Sequence, residues 1–452
     1  MIYEKEQLSS MLPIPLSTSV SEDASAWLLE SFLLTIQSVY EQRRDQMDRQ
    51  VTHVNSFYRN DIKRAVEVTR GVLNLIGVWP SCNTSSTLKI VKTKLLRFLC
   101  QLLLCIVFVS GWLKILLTEL NMYRRIKVIG TICNVLMTIL KHIALIYQGE
   151  RLKDCIRYIE EDWRKVSPTE DRKIMVDYAR IGRSLAILCV VFMYTSGFSY
   201  RTILPLSRGV IVTLQNVTIR PLPFDGYLFI DPQKTPAYEI IFTIQLFSGL
   251  IQYSVTSGAC SLAALLVLHA CGQLKILIVK MENLTQTKQL PNKNTNRKLI
   301  VIVRQHIRIK SFLREVEETL QYTCLVEVIG STFILCICFY VLMERGENSM
   351  TSIVVHTIVL LTFMFNIFIL CFIGQLLTDQ STKMYVTSCT LDWYRIPHKT
   401  AHSLILLIAM SSVPTKITAG KFMDLSFYSF GAIVKTSVAY LNLLRTRNQK
   451  ID

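Results

Sequence analysis

Apolar residues along this chain run in unbroken blocks of about 20, set apart by short polar or charged stretches. Blocks of that length overshoot a core helix and match the hydrocarbon thickness of a bilayer, roughly 30 Å. Seven spans are predicted, over 98–117, 128–147, 184–200, 239–264, 323–343, 353–376 and 423–444. The third is short and draws on the flanking Ile181 and Gly182. None alternates like a barrel strand, so all read as helices. The expected fold class is all-α, a polytopic membrane protein with seven transmembrane helices.

The remaining segments divide around these spans. Residues 1–56 form a polar leader, expected to be poorly ordered. Its one apolar patch, 27–40, is interrupted by Glu30 and is too short to cross. Residues 57–97 read as cytoplasmic, with the short apolar stretch 71–80 suited to an interfacial or re-entrant helix. In 265–322, Leu299, Val303, Ile307, Leu313, Val316 and Leu320 recur at helical spacing and predict a helix entering the fifth span. A second short apolar helix lies in 399–414, stopped by Pro414. Apolar helices outside the bilayer need a partner, so both are read as anchors that pack subunits together. The last residues, 445–452, form a tail.

Charge then sets orientation. Lys and Arg number 50 against 33 Asp and Glu, giving a net charge of +17, yet only 18% of residues are charged. A nucleic-acid binder would gather that excess on one soluble face. Here it punctuates the apolar blocks. With the N-terminus inside, the inner segments hold 36 Lys and Arg and the outer segments 11. Basic residues favour the cytoplasmic side, so the N-terminus is placed inside and, after seven spans, the C-terminus outside. A G-protein-coupled receptor has the opposite orientation.

Chemistry-bearing motifs are sparse. Of thirteen cysteines, nine lie in spans and four (Cys82, Cys155, Cys271, Cys389) in inner segments, which leaves no pair for an extracellular disulfide. The sequon at Asn216 falls in the longest outer loop and is a candidate glycosylation site, whereas those at Asn83 and Asn283 fall inside. Cys-x-x-Cys, Gly-x-x-x-x-Gly-Lys and Gly-x-Ser-x-Gly are all absent, so no enzyme, cofactor or metal site is expected. A transporter remains a rival, although no inverted repeat is evident.

An ordered set of short motifs carries more information. Gly77-Val78-Trp79-Pro80 precedes the first span and Asp162-Trp163 follows the second. Pro221-Leu222-Pro223 and Tyr238-Glu239 lead into the fourth, and Gly272-Gln273-Leu274 follows it. His306, Gly374-Gln375, Trp393-Tyr394, the run Pro414 to Gly420 and the run Lys435 to Tyr440 complete the series. In this order, over about residues 57–452, the chain resembles the insect odorant receptor family.

The resemblance implies a ligand-gated, non-selective cation channel in the plasma membrane of sensory neurons. It implies a tetramer with one central pore lined by the seventh helices, and an odorant pocket among the outer halves of helices 2–6. Lys435-Thr436-Ser437 is unlike the more apolar run of the shared co-receptor, so the chain resembles a ligand-tuning subunit that partners a co-receptor. The related gustatory-type receptors are the alternative, but Tyr440 to Arg445 departs from their terminal pattern.

Within that frame the outer halves of the spans offer Met193, Tyr194, Phe198, Phe242, Phe247, Phe339, Tyr340 and His356 as ligand-binding candidates, with Tyr200 and Met343 beside them. Aromatic and Met side chains suit a small volatile, and Tyr194, Tyr340 and His356 add polar handles. On the seventh helix Ile433, Ser437, Tyr440 and Leu444 share a face, with Thr436 and Leu443 adjacent, and are expected to form pore and gate. No acidic ring accompanies them. Lys435 is a candidate vestibule or pairing charge. Lys141-His142 and Glu327 are the other polar residues within spans, and Glu327 is expected to meet water near the inner end.

Overall fold

The computed structural model describes residues 56–80, 87–118, 121–166, 170–209, 211–212, 218–227, 231–286, 292–343, 350–392, 394 and 398–448. The leader 1–55, Cys82, Asn83, Asn216 and Trp393 lie outside the described residues. From Phe57 onward the chain forms one compact unit.

Long apolar runs with few interior breakers give long helices. They are α1 (Ser56–Leu75), α2 (Thr87–Leu117), α3 (Met122–Tyr147), α4 (Gly149–Lys165), α5 (Glu170–Phe198), α6 (Leu204–Arg208), α7 (Ala237–Gln286), α8 (Asn292–Met343), α9 (Met350–Thr390), α10 (His398–Ser411) and α11 (Phe427–Asn448). Two short antiparallel hairpins complete the described structure: β1 (Ile211–Val212) with β2 (Thr218–Ile219), and β3 (Thr418–Ala419) with β4 (Met423–Asp424).

Among the described residues, six helices are long and apolar enough to cross a membrane: α2, α3, α5 with α6, α7, α8 and α9. The chain is therefore a multi-pass, all-α protein. The expected seventh span, α11, is less apolar because it carries Lys435, Asn442 and several hydroxyls. Its first expected residues, 423–424, belong instead to strand β4. The β3–β4 turn uses two left-handed residues, Gly420 (φ 60°) and Lys421 (φ 63°). A Cβ at Gly420 would crowd Leu325 of α8 at 2.7 Å, so glycine is needed there for space as well as for φ.

Segment 71–80 contains the end of a helix. Residues 71–75 are the last turn of α1, and Gly77 at φ 69° ends it. Val78 N donates to Leu73 O at 2.9 Å, closing a C-terminal cap. Leu73, Ile76 and Val78 are buried in the main core.

The helices α7, α8 and α9 hold 50, 52 and 41 residues, far beyond their apolar spans. Fifty residues of α-helix reach about 75 Å, over twice the hydrocarbon thickness. Their extensions beyond the apolar stretches pack with α1, α4 and α10 into one dense core that includes Leu266, Leu277, Leu313, Val316 and Leu407. Ile307, expected on the buried stripe of α8, is 50% exposed, while Ile302 and Ile309 are buried instead. On α4, Tyr158 stacks on Phe312 with centroids 4.4 Å apart, and the Arg308 guanidinium lies over its other side at 4.3 Å. Burial pushes the Tyr158 hydroxyl well above its ordinary pKa, with Asp162 adding to the rise and Arg308 opposing it. Arg308 also pairs with Asp162 at 2.9 Å and Glu161 at 3.2 Å.

Candidate functional site

Helix α5 does not continue smoothly past Phe198. Pro205 has no N–H to give residue 201, and its ring would strike that residue's carbonyl in a regular helix. The chain widens into a π turn over Ser199–Ile203, where Leu204 N donates to Ser199 O. Such turns insert one residue into the helical register. Here the turn delivers Tyr200 and Arg201 to the bundle interior, and Arg201 is only 4% exposed. Arg201 Nη1 donates to Gln245 O at 2.9 Å. Its side chain lies across Gly249, where a Cβ would approach Arg201 Cδ to 2.5 Å. Gln245 in turn clasps the segment before α7: Phe224 N donates to its Oε1 at 3.0 Å, and its Nε2 donates to Phe224 O at 2.9 Å.

These residues border a cavity of about 870 Å³, counting its open mouth. Five helices line it. Lys127, Gly130, Thr131 and Asn134 come from α3, and Met193, Ser196 and Gly197 from α5, followed by Tyr200 and Arg201 of the π turn. From α7 come Gln252, Tyr253 and Thr256; from α8, Ile334, Ile337, Cys338 and Val341; from α9, His356, Val359, Thr362 and Phe363. The wall is mainly apolar, with a few placed polar groups, as small-molecule sites tend to be. The rings of Tyr200 and His356 meet edge to face at 5.8 Å. His356 Nδ1 faces Ser352 O at 2.7 Å. Tyr253 donates to Gly197 O at 2.9 Å, and its ring covers Gly197 so closely that no Cβ fits. Asn134 Nδ2 donates to Gln252 Oε1 at 3.0 Å, joining α3 to α7.

Of the expected ligand-binding residues, the structure brings Met193 and His356 to this cavity, along with Tyr200. Tyr194 stands behind Tyr253, its hydroxyl 2.6 Å from Ser254 Oγ. Phe198 and Phe247 are 58% and 52% exposed on the outer surface of the bundle. Phe242 tilts against Tyr238. Phe339 packs at the edge of the core, and Tyr340 is fully buried in a separate cluster with Ile126, Cys336, Val341 and Leu441. The reason is helical phase: depth along a span was legible, but the face turned inward depends on neighbours. The polar lining residues Asn134, Ser196, Gln252 and Thr256, together with Arg201, were missed. Pro205 was the one available signal for the π turn.

Beneath the cavity lies a polar node. Lys141 Nζ donates to Thr256 Oγ1 and to Glu327 Oε2, both at 2.8 Å. Glu327 Oε1 accepts from Asn366 Nδ2 at 2.6 Å and Ser331 Oγ at 2.9 Å. Asn366 Oδ1 accepts from Cys189 Sγ at 3.4 Å. Glu327 is only 2% exposed, so it does not meet water at the inner end; the Lys141 ammonium and two neutral donors take that place. His142 is likewise buried, between Gln101 Oε1 and Ile76 O.

On α11 the buried face is Ser429, Ile433, Ser437 and Leu441. Ser437 Oγ contacts Thr332 O at 3.1 Å, so Ile433 and Ser437 turn towards α8. The opposite face exposes Lys435, Thr436, Val438, Tyr440 and Leu443, with Tyr440 stacked on Phe333 at 6.2 Å. Leu444 is half-buried.

A sequence model described as 7tm Odorant receptor matches residues 121–438. The chain belongs to the insect odorant receptor family. It is 22% identical to Odorant receptor 10 of Aedes albopictus over 317 residues, covering 68% of this chain and 80% of that one. It is 23% identical to Odorant receptor 13a of Drosophila melanogaster over 295 residues, covering 61% and 68%. Its fold is similar to that of the olfactory receptor OR5 from Machilis hrabei, with a TM-score of 0.72 at 15% identity, covering 85% of this chain and 97% of that one. The same receptor in complex with eugenol also gives 0.72, at 14% identity over 88% and 99%. An odorant receptor of this family is a receptor rather than an enzyme, in keeping with the absence of catalytic motifs in the sequence.

Proposed function

We propose that this odorant receptor is a ligand-tuning subunit of a volatile-gated, non-selective cation channel. It assembles as a heterotetramer with a co-receptor, in the plasma membrane of sensory neurons, with its N-terminus cytoplasmic and C-terminus extracellular. The observation that carries the reading is the cavity enclosed by α3, α5, α7, α8 and α9, at the place where a small apolar ligand would bridge five helices. The Machilis receptor solved with eugenol has the same fold, which supports a small volatile as the occupant.

The conduction path is assigned to the exposed face of α11, with Lys435, Thr436, Tyr440 and Leu443 towards the axis and Ile433 and Ser437 holding the helix to α8. A pore helix facing water has reason to be less apolar than the six other spans. Inner assembly is supported by α10, which buries Leu404 and Leu407 yet exposes Ile405 and Leu406 (63% and 56%). A glycan at Asn216 remains part of this proposal.

Whole-cell recording tests the reading. Co-expression with a co-receptor should give ligand-evoked ionic current when a volatile panel is applied. Surface expression without current in any combination, or slow saturable uptake in its place, overturns it. A C-terminal tag inaccessible from outside intact cells overturns the orientation.

A further inference from the structure

Three basic side chains stand in the interior of the bundle or at its outer cavity, and they are treated differently. Lys141 has a carboxylate at 2.8 Å. Lys127 lies over the Tyr123 ring, 6.0 Å from its centroid, at the cavity edge. Arg201 is buried at the cavity wall, and among the described residues no carboxylate lies within ion-pair reach of it. Its partners are neutral, the Gln245 carbonyl and the Tyr253 hydroxyl. None of the cavity-lining residues is Asp or Glu.

A guanidinium does not shed its proton in a protein, so burial here leaves a standing positive charge. An isolated buried charge is costly unless something pairs with it. The placement is also built rather than incidental. The π turn aims Arg201 inward, Gly249 leaves room for its stem, and the Gln245 carbonyl holds one end of the fork. π turns recur at functional sites.

We infer that Arg201 is the recognition residue of this cavity and that its ligand is a small volatile acid bound as its carboxylate. The guanidinium fork matches two carboxylate oxygens, and the apolar walls from α8 and α9 receive the hydrocarbon part. This assignment rests on the odorant-cavity reading above and names the chemical class of its ligand.

The test uses the full chain purified in detergent. Thermal melting is followed against linear carboxylates from propanoate to octanoate, each beside the methyl ester and the alcohol of equal length. The carboxylate should half-saturate the shift at a concentration about tenfold or more below its neutral counterparts. Arg201→Gln should erase that preference, and Arg201→Lys should keep part of it. Equal responses to acid, ester and alcohol, a flat response to every carboxylate, or a preference that survives in Arg201→Gln each overturn the inference. Should Arg201→Gln fail to fold, the wild-type comparison and Arg201→Lys still decide. Neutral odorants that evoke current with no carboxylate preference would sink this inference alone. Carboxylate preference with no current under co-expression would sink the channel reading alone.

Discussion

The cavity and the adjoining polar node share one residue, Thr256, and have opposite electrostatics. In the node, Lys141 and Glu327 neutralise one another, and Thr256, Ser331 and Asn366 take up further hydrogen-bonding positions. In the cavity, Arg201 stays charged against neutral partners, and open volume lies beside it. A compensated buried pair ties α3, α7, α8 and α9 into one arrangement. An uncompensated one leaves a place for something from outside. Burial alone therefore does not distinguish a structural charge from a recognising one; the presence of a counter-charge does.

The sharpest way to break this contrast is at the node. Lys141→Met strands the Glu327 carboxylate in the interior and should cost about 3–5 kcal/mol, read as a fall in melting temperature and surface expression. Lys141→Met with Glu327→Met should recover most of that loss. A double variant as unstable as the single one would remove the node's claim to be a pair.

Next in size is Tyr340→Ala. Tyr340 sits in the cluster with Ile126 and Leu441, outside the cavity, so truncation should destabilise by about 3–5 kcal/mol through an empty space. His356→Ala, at the cavity wall, should instead shift half-maximal ligand concentration by about tenfold, or 1.4 kcal/mol, with the melting temperature little changed. The two effects exchanged would redraw the cavity wall.

A smaller effect is expected where α9 meets the link between β4 and α11. A Cβ at Gly374 would run into the Leu425 carbonyl, which has no flexible side chain to yield. Gly374→Ala should cost about 1–3 kcal/mol and impair gating more than ligand binding. The smallest effect on stability is predicted for Lys435→Gln, within about 0.5 kcal/mol, because that side chain is exposed. Its expected effect lies in conduction: single-channel current should change while ligand potency does not. An unchanged current would move Lys435 away from the pore.

Much of the fold was legible because bilayer spans write themselves into sequence as length and apolarity. The six long helices coincide with six of the seven predicted spans, and a helix leading into the fifth was visible in Leu299, Leu313, Val316 and Leu320. Helix ends were less legible. Within 71–80 the end of α1 was not visible, because it is set by the positive φ of Gly77. Met423 and Asp424 looked like the start of a span because the β3–β4 turn depends on Gly420 fitting against Leu325.

The site was legible in depth and not in direction. Met193 and Tyr194 are sequence neighbours, as are Phe339 and Tyr340, yet of the four only Met193 lines the cavity. One step along a helix rotates a side chain by about 100°, and an all-apolar span has no polar face to fix that rotation. Glu327 was read as water-facing because its partner Lys141 stands 186 positions earlier in the chain.

By itself the sequence determined that this is a multi-pass helical protein of the odorant receptor type. Those properties rest on local composition and short ordered motifs, which need no knowledge of neighbours. Tertiary structure decided which apolar helices are central and which peripheral. Within their most apolar stretches α2 and α7 are 28% and 83% buried, although both qualify equally as spans. It also decided which charges are paired. A counter-ion is a matter of distance in space, and two residues far apart in the chain carry no mark that they will meet. Lys141 and Arg201 are both basic residues in apolar surroundings as sequence, and only packing gave one of them a carboxylate.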